Sequence, residues 1–182
     1  FADAVLSKSV RMAHEENTTF VTYSVHLQRQ APIALTVDVW VNSRDHHGDM
    51  KQSDVIFAVE PVPNGVKIIP SNGEPYYAFG FYDPFSNPEP SIKESQSEFT
   101  FDPAWVTGIY RMEEARRGFE PLEDHYRIGW FKFRILPNDF GNVRLVFSTK
   151  PVTAADAESR ILNPAAAGGA RWEARRRAVE IA

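Results

Sequence analysis

Two segments near the start of the chain alternate apolar and polar residues with a period of two. In residues 20–28 every second residue from Val21 onward is apolar, and in residues 32–42 the same holds from Ile33 onward. Because successive side chains of a strand point to opposite faces, this pattern predicts two strands, each with one buried face. Their connection is short enough for a hairpin or a bend. Strands of this kind must pack against a second layer, so we expect layered sheets.

Later segments add further strands, separated by turn sequences such as Pro63-Asn64-Gly65. The last two alternate regularly and are joined by a short turn, which predicts an antiparallel hairpin. The predicted extended segments are residues 54–59, 66–69, 76–82, 98–101, 127–136 and 143–149.

One internal helix is predicted at residues 103–117. Asp102 and Pro103 have the residue types preferred at the N-cap and at the first helical position, and Gly118 can end the helix. Three apolar residues recur at helical spacing: Trp105, Ile109 and Met112.

The predicted fold class is mainly β, an antiparallel, jelly-roll-like β-sandwich with one internal helix and helical terminal arms. The sandwich domain spans residues 17–150. Residues 1–16 form an N-terminal arm, which fits a helix or an extended segment, and residues 151–182 form a helical, basic C-terminal arm.

Composition excludes several classes of protein. The 182 residues include no Cys, which excludes disulfide scaffolds, iron–sulfur clusters and thiol catalysis. No apolar run approaches the roughly 18 residues needed for a membrane span, so we expect a soluble protein. Neither Gly-rich phosphate loop motif is present, and we expect no cofactor. The net charge of −4 does not favour a nucleic-acid partner. One glycosylation sequon begins at Asn17, and its use is left open.

A polar loop carries the first candidate for chemistry: Asp45, His46, His47 and Asp49. Imidazole and carboxylate groups bind divalent metals, so this loop predicts a metal-assisted hydrolase as one alternative. Adjacent histidines on an extended chain point in opposite directions, however, and an exposed polar loop explains the same residues.

The second candidate is the run Glu123-Asp124-His125, in which a carboxylate could orient an imidazole. A hydrolase would also need a nucleophile, and the chain has no Gly-x-Ser-x-Gly motif. A capped turn before the strand at 127–136 is the simpler interpretation, so no catalytic residue is assigned and an enzyme is not favoured.

An aromatic strand at residues 76–82 suggests a third kind of site. Tyr76, Tyr77 and Phe79 could stack on sugars, as in a carbohydrate-binding module, or on bases. Packing in the core and under a loop accounts for the same rings.

The C-terminal arm is the predicted contact with other molecules. After residue 159 it contains five Arg and two Glu, a net charge of +3. We expect it to bind other protein subunits, in a homo- or hetero-oligomer, with a weak contact to an anionic surface. The interacting residues would be Arg171, Trp172, Arg175, Arg176 and Arg177.

Two stretches give the chain a family resemblance. Residues 33–42 and the strand–turn–strand segment 131–147 resemble the long strands of picorna-like icosahedral virus capsid proteins. This resemblance implies a capsid or capsid-associated subunit of a virion, cut from a precursor, whose terminal arms reach into neighbouring subunits. A start at Phe1 rather than Met fits release from a precursor. The favoured function is therefore structural assembly through protein–protein contacts.

Overall fold

The computed structural model describes residues 4–13, 15–28, 30–45, 48–84, 97–136 and 140–152. Within them, no helix has both the length and the hydropathy that a membrane span requires. Nine strands and one short helix form in these residues. In chain order they are β1 (Ala4–Met12), β2 (Thr18–Leu27), β3 (Ile33–Val41), β4 (Phe57–Val62), β5 (Gly65–Pro70), β6 (Tyr76–Pro84), β7 (Ser97–Tyr110), α1 (Met112–Arg116), β8 (Leu122–Ile135) and β9 (Phe140–Ser148).

The strands form two antiparallel sheets. The larger sheet has six strands in the order β1-β2-β9-β6-β5-β4, and the smaller has three in the order β3-β8-β7. All hydrogen-bonded neighbours run antiparallel. The prediction of a mainly β, antiparallel fold is confirmed.

The main hydrophobic core contains side chains from both sheets and therefore lies between them. Phe131 of β8, which is 1% exposed, packs directly over Gly80 of β6. A Cβ atom at Gly80 would lie 2.5 Å from Cδ1 of Phe131, so any larger residue would push the sheets apart. The largest fully buried side chains of this core are Leu27, Met50, Ile68, Ile128, Phe131, Phe133, Ile135 and Leu145.

The six-stranded sheet is apolar on its other face as well. A second cluster there contains Phe20 of β2, Phe79 of β6 and Val146 of β9, together with Val152 beyond the last strand. Tyr82 lies on the opposite face of β6, in the main core. The aromatic residues on the two faces of β6 therefore belong to two different hydrophobic clusters.

The two alternating segments are strands, as predicted, but they do not pair with each other. β2 lies between β1 and β9 in the larger sheet, whereas β3 pairs with β8 in the smaller one. Their short connection therefore carries the chain from one sheet to the other. The predicted hairpin of residues 127–136 and 143–149 is wrong for the same reason, since β8 and β9 belong to different sheets.

The helix predicted at residues 103–117 is wrong over most of its length. Strand β7 continues to Tyr110, and α1 is only five residues long. Pairing with β8 satisfies the backbone of β7, with Trp105 opposite Tyr126. The Trp105 ring also packs against Phe57, with their centroids 6.0 Å apart. Two of the three apolar residues at helical spacing, Trp105 and Ile109, therefore lie in a sheet, where cross-strand packing outweighs local propensity, and only Met112 lies in a helix.

The helical N-terminal arm is also wrong where the structure describes it. Residues 4–12 form β1, which pairs with β2 from Ala4 opposite Leu27 to Met12 opposite Thr19. The helices predicted in the C-terminal arm, residues 153–182, lie outside the described residues.

Candidate functional site

A cleft of about 710 Å³ opens at one end of the two sheets. The loop after β3 and the residues at the start of β6 form one part of its wall. The connection between β7 and β8, residues 111–121, and the start of β8 form the rest. We call this the Glu123 cleft, and we call residues 111–121 the α1 connection.

The carboxylate of Glu123 is the centre of the site. Glu123 is 2% exposed. Its Oε1 lies 2.6 Å from Nε of Arg44, and its Oε2 lies 3.4 Å from Nε of Arg111 and 3.0 Å from Nε2 of His125. Because an ionised carboxylate only accepts hydrogen bonds, the hydrogen bond with His125 requires a proton on Nε2 of the imidazole. Opposite charges at these distances offset the cost of burying the carboxylate.

Each arginine also fixes the segment that carries it. Arg44 donates through Nη1 to the backbone carbonyls of Asp45, at 3.1 Å, and Gly48, at 2.9 Å. Arg111 donates through Nη2 to the carbonyl of Glu120, at 3.2 Å. Glu123 therefore joins the loop after β3 and the α1 connection to strand β8.

Asp124, the next residue, points to different partners. Its carboxylate accepts hydrogen bonds from the backbone N–H groups of Gln52 and Gly108, both at 2.9 Å. These two hydrogen bonds hold the pKa of Asp124 below its ordinary value, and the one from Gln52 has the larger effect. Asp124 of β8 thus connects β7 with the loop that precedes β4. It is not part of the cleft wall.

Asn42 and Tyr76 lie side by side on the cleft wall. The Tyr76 hydroxyl donates to the backbone carbonyl of Asn42 at 3.4 Å, and burial raises the pKa of Tyr76, which keeps the phenol protonated. The side-chain Nδ2 of Asn42 is buried and has no hydrogen-bond partner among the described residues. A buried amide without a partner is costly unless a ligand or water satisfies it.

The charge of the cleft restricts what can bind there. Its described lining contains six carboxylates but only three guanidinium groups. An anionic ligand would be repelled by this excess of negative charge, whereas a neutral ligand rich in hydroxyl groups could use both kinds of group. The carboxylates belong to Asp45, Asp49, Glu74, Glu114, Glu120 and Glu123, and the guanidinium groups to Arg44, Arg111 and Arg117.

The predicted metal loop is only partly described. His46 and His47 lie outside the described residues. Asp49 forms an ion pair with Lys51 at 3.1 Å, which lowers the pKa of Asp49, and both Asp45 and Asp49 line the cleft. The described residues contain no group of three metal-ligating side chains.

The three aromatic residues predicted to bind a sugar do not share one surface. Tyr76 packs against the main core, whereas Tyr77 and Phe79 belong to the cluster on the opposite face of the sheet. The rings of Tyr77 and Phe79 stack on each other, with centroids 5.8 Å apart and planes 7° apart, and Phe79 stacks in the same way on Phe81. Tyr76 is the one of the three that lines the cleft.

Sequence reasoning singled out Glu123 and His125 but missed the arginines that complete the site. Arg44 and Arg111 lie far from Glu123 in sequence, or across a connection that was predicted to be helical, and no local motif links them. The proposed contact residues of the C-terminal arm lie outside the described part of the chain: Arg171, Trp172, Arg175, Arg176 and Arg177.

Comparison with known proteins gives one family. The family model described as glycogen debranching enzyme N terminal matches residues 1–140. No curated protein and no solved structure matches the chain. The resemblance to virus capsid proteins is therefore wrong, and with it the capsid function and the virion location, because the matching family is a different one. Alternating strands joined by short turns are common to many layered β folds, so they could not identify a capsid subunit.

Proposed function

The chain belongs to the family of the glycogen debranching enzyme N-terminal domain, and we propose that it is a non-catalytic β-sandwich domain that binds an α-glucan in the Glu123 cleft. Membership of this family supports a role in a carbohydrate-related context. The observation that carries the assignment to this cleft is the buried carboxylate of Glu123, fixed between Arg44, Arg111 and His125.

A sugar ring presents hydroxyl groups that donate and accept hydrogen bonds within short distances of each other. The Glu123 cleft offers carboxylate acceptors beside guanidinium donors, and the network around Glu123 holds them in place before a ligand arrives. Groups that are fixed in advance lose less conformational entropy on binding. The Nδ2 of Asn42, which has no hydrogen-bond partner in the described part of the chain, adds a buried donor on the same wall.

The cleft also has apolar surface for the carbon face of a sugar. Phe119 of the α1 connection is 50% exposed and lines the cleft, and Tyr76 lines it as well. Ligand sites combine aromatic walls with a few fixed polar groups in this way.

Binding, rather than bond cleavage, is the role that suits Glu123. Hydrolysis of a glycosidic bond requires one carboxyl group to give up a proton and a second carboxylate opposite it. Glu123 instead forms ion pairs with Arg44 and Arg111 and a hydrogen bond with His125, so both of its oxygens already face fixed partners. Hydrolysis would then be the task of another part of a debranching enzyme.

Isothermal titration of the full chain with maltoheptaose tests the proposal, with a β-linked glucan oligosaccharide as the negative ligand. We expect Phe119→Ala to weaken maltoheptaose binding about fivefold, from the loss of about 1 kcal/mol of ring contact. Tyr110→Ala is the matched control, because Tyr110 is 62% exposed near the α1 connection but does not line the cleft. Absence of binding by the unaltered protein, or equal losses in both variants, would overturn the proposal.

A further inference from the structure

The outward face of the three-stranded sheet carries an exposed tryptophan among charged groups. On β3 the side chains of Ala34, Thr36, Asp38 and Trp40 point away from the core, since the residues between them pack into it. Trp40 is 45% exposed, which is unusual for an indole on a folded surface. The same face of β8 supplies His125 and Arg127 as its neighbours.

A β-bulge brings these side chains to one face. Val39 lies opposite Gly129, but the next residue, Trp40, lies opposite Arg127. Ile128 is the extra residue, and it is fully buried in the main core. Without this bulge, strict alternation would turn Arg127 inward, so the bulge re-aims a charged side chain towards the tryptophan.

The contacts form a continuous path from this face into the cleft. The Trp40 ring meets the edge of the His125 ring, with centroids 6.4 Å apart, and His125 is hydrogen-bonded to Glu123. Arg127 lies over the ring of Trp130, 5.6 Å from its centroid, and forms an ion pair with Asp102. One face of Trp130 is therefore occupied, whereas the indole of Trp40 remains exposed.

We propose that Asp38, Trp40, His125 and Arg127, here called the Trp40 strip, form a second subsite for the α-glucan that occupies the Glu123 cleft. The proposal rests on the proposed function. Trp40 stacks on the face of one glucose unit, while Asp38 and Arg127 accept and donate hydrogen bonds to its hydroxyl groups. His125 belongs both to the strip and to the cleft lining, so one ligand chain can contact both sites.

The charge of the strip favours a neutral sugar over a nucleic acid. Exposed rings also stack on bases, but binding of a single strand needs a positively charged groove for its phosphates. Next to Trp40, Arg127 already forms an ion pair with Asp102, and Asp38 lies two residues away on the same exposed face of β3. The adjoining cleft is acidic, and the chain as a whole carries a net charge of −4.

Ligands of two lengths distinguish the contribution of the Trp40 strip to binding from that of the Glu123 cleft. Titrations of the full chain would compare maltotriose with maltoheptaose, because the longer ligand has more glucose units to place on the strip once the cleft is filled. We expect Trp40→Ala to weaken maltoheptaose binding at least about fivefold and to leave maltotriose binding within about twofold. Ile56→Ala, at a residue that is 77% exposed and lies outside both sites, should leave both affinities unchanged.

A second variant distinguishes loss of the indole contact from loss of the folded structure. Trp40→Tyr keeps an aromatic ring and should retain most of the maltoheptaose affinity, while the change in tryptophan fluorescence on binding becomes smaller. If the unaltered protein binds neither ligand, the proposed function itself fails. If it binds both, but Trp40→Ala leaves maltoheptaose binding unchanged or weakens both ligands equally, only the second subsite is overturned.

Discussion

Glu123→Gln keeps the shape of the central side chain of the cleft but removes its charge. The carboxylate is 3% exposed and contacts Arg44, Arg111 and His125. After the substitution the two guanidinium groups would face a neutral amide that also carries N–H donors of its own. We expect the loop after β3 and the α1 connection to lose their common anchor on β8, and the protein to become less stable.

The size of the effect follows from how deeply each partner is buried. Breaking a fully buried ion pair costs about 3–5 kcal/mol. The side chains of Arg44 and Arg111 are 29% and 19% exposed, so water can compensate part of the loss. We therefore expect Glu123→Gln to lower the free energy of unfolding by about 2–3 kcal/mol. For a domain of this size that corresponds to a fall in melting temperature of roughly 4–12 °C.

Thermal unfolding followed by circular dichroism measures this change, and Glu113→Gln is the matched control. Glu113 pairs with Arg116 at 2.6 Å, the same distance as Arg44 to Glu123, but its side chain is 67% exposed. An exposed pair of this kind contributes at most about 1 kcal/mol. If both variants melt at the same temperature, the buried network does not hold these segments together, and the reasoning is wrong.

Gly80→Ala should lower stability in urea by about 1–3 kcal/mol because its Cβ would strike Phe131. Gly73→Ala, whose Cβ meets only ordinary contacts, should not, and equal effects would refute the sheet-contact argument. Because folding lowers the pKa of Asp124, its carboxylate contributes fully to the stability of the protein above its ordinary pKa of 3.8, and this contribution is lost as the pH falls through the lowered pKa. Asp124→Asn should therefore lower the melting temperature at neutral pH, with a difference that shrinks below about pH 4; a constant difference would contradict this. Deleting residues 153–182 should lower the number of subunits per particle, calculated from the mass that light scattering gives divided by the mass of one chain, and an unchanged number would contradict a role of that segment in binding other subunits.

The strands could be predicted from the sequence better than their partners could. Alternation from Val21 and from Ile33 depends only on which face is buried, and that face is buried whichever strand lies beside it. The short connection between β2 and β3 is compatible both with a hairpin and with a crossing to the opposite sheet. In this chain the second arrangement buries the apolar faces of β2 and β3 in the same core. Pairing is thus decided by distant strands such as β9, which local patterns do not contain.

The error at residues 103–117 has a different cause. Asp102 and Pro103 are good residues for the start of a helix, but Asp102 forms an ion pair with Arg127 on the neighbouring strand. Two shifts in register between β7 and β8 absorb the residues that broke the alternation, and Gly108 adopts a positive φ of 71° at the second one. An irregular strand with apolar residues at uneven spacing resembles a helix in sequence, because its bulges change the period.

The same irregularity explains why only part of the candidate site was visible in the sequence. Glu123 and His125 are two residues apart, so any strand would place them on one face, and this pair could be singled out. Arg127 continues that spacing, but Trp130 does not, and only the bulge at Ile128 returns it to the same side. The bulge in turn depends on Gly129, where a Cβ would lie 2.0 Å from the carbonyl oxygen of Thr100 and φ is 143°. A residue without a side chain therefore determines which charged and aromatic groups of β8 reach the surface together, and a search for chemical motifs does not detect it.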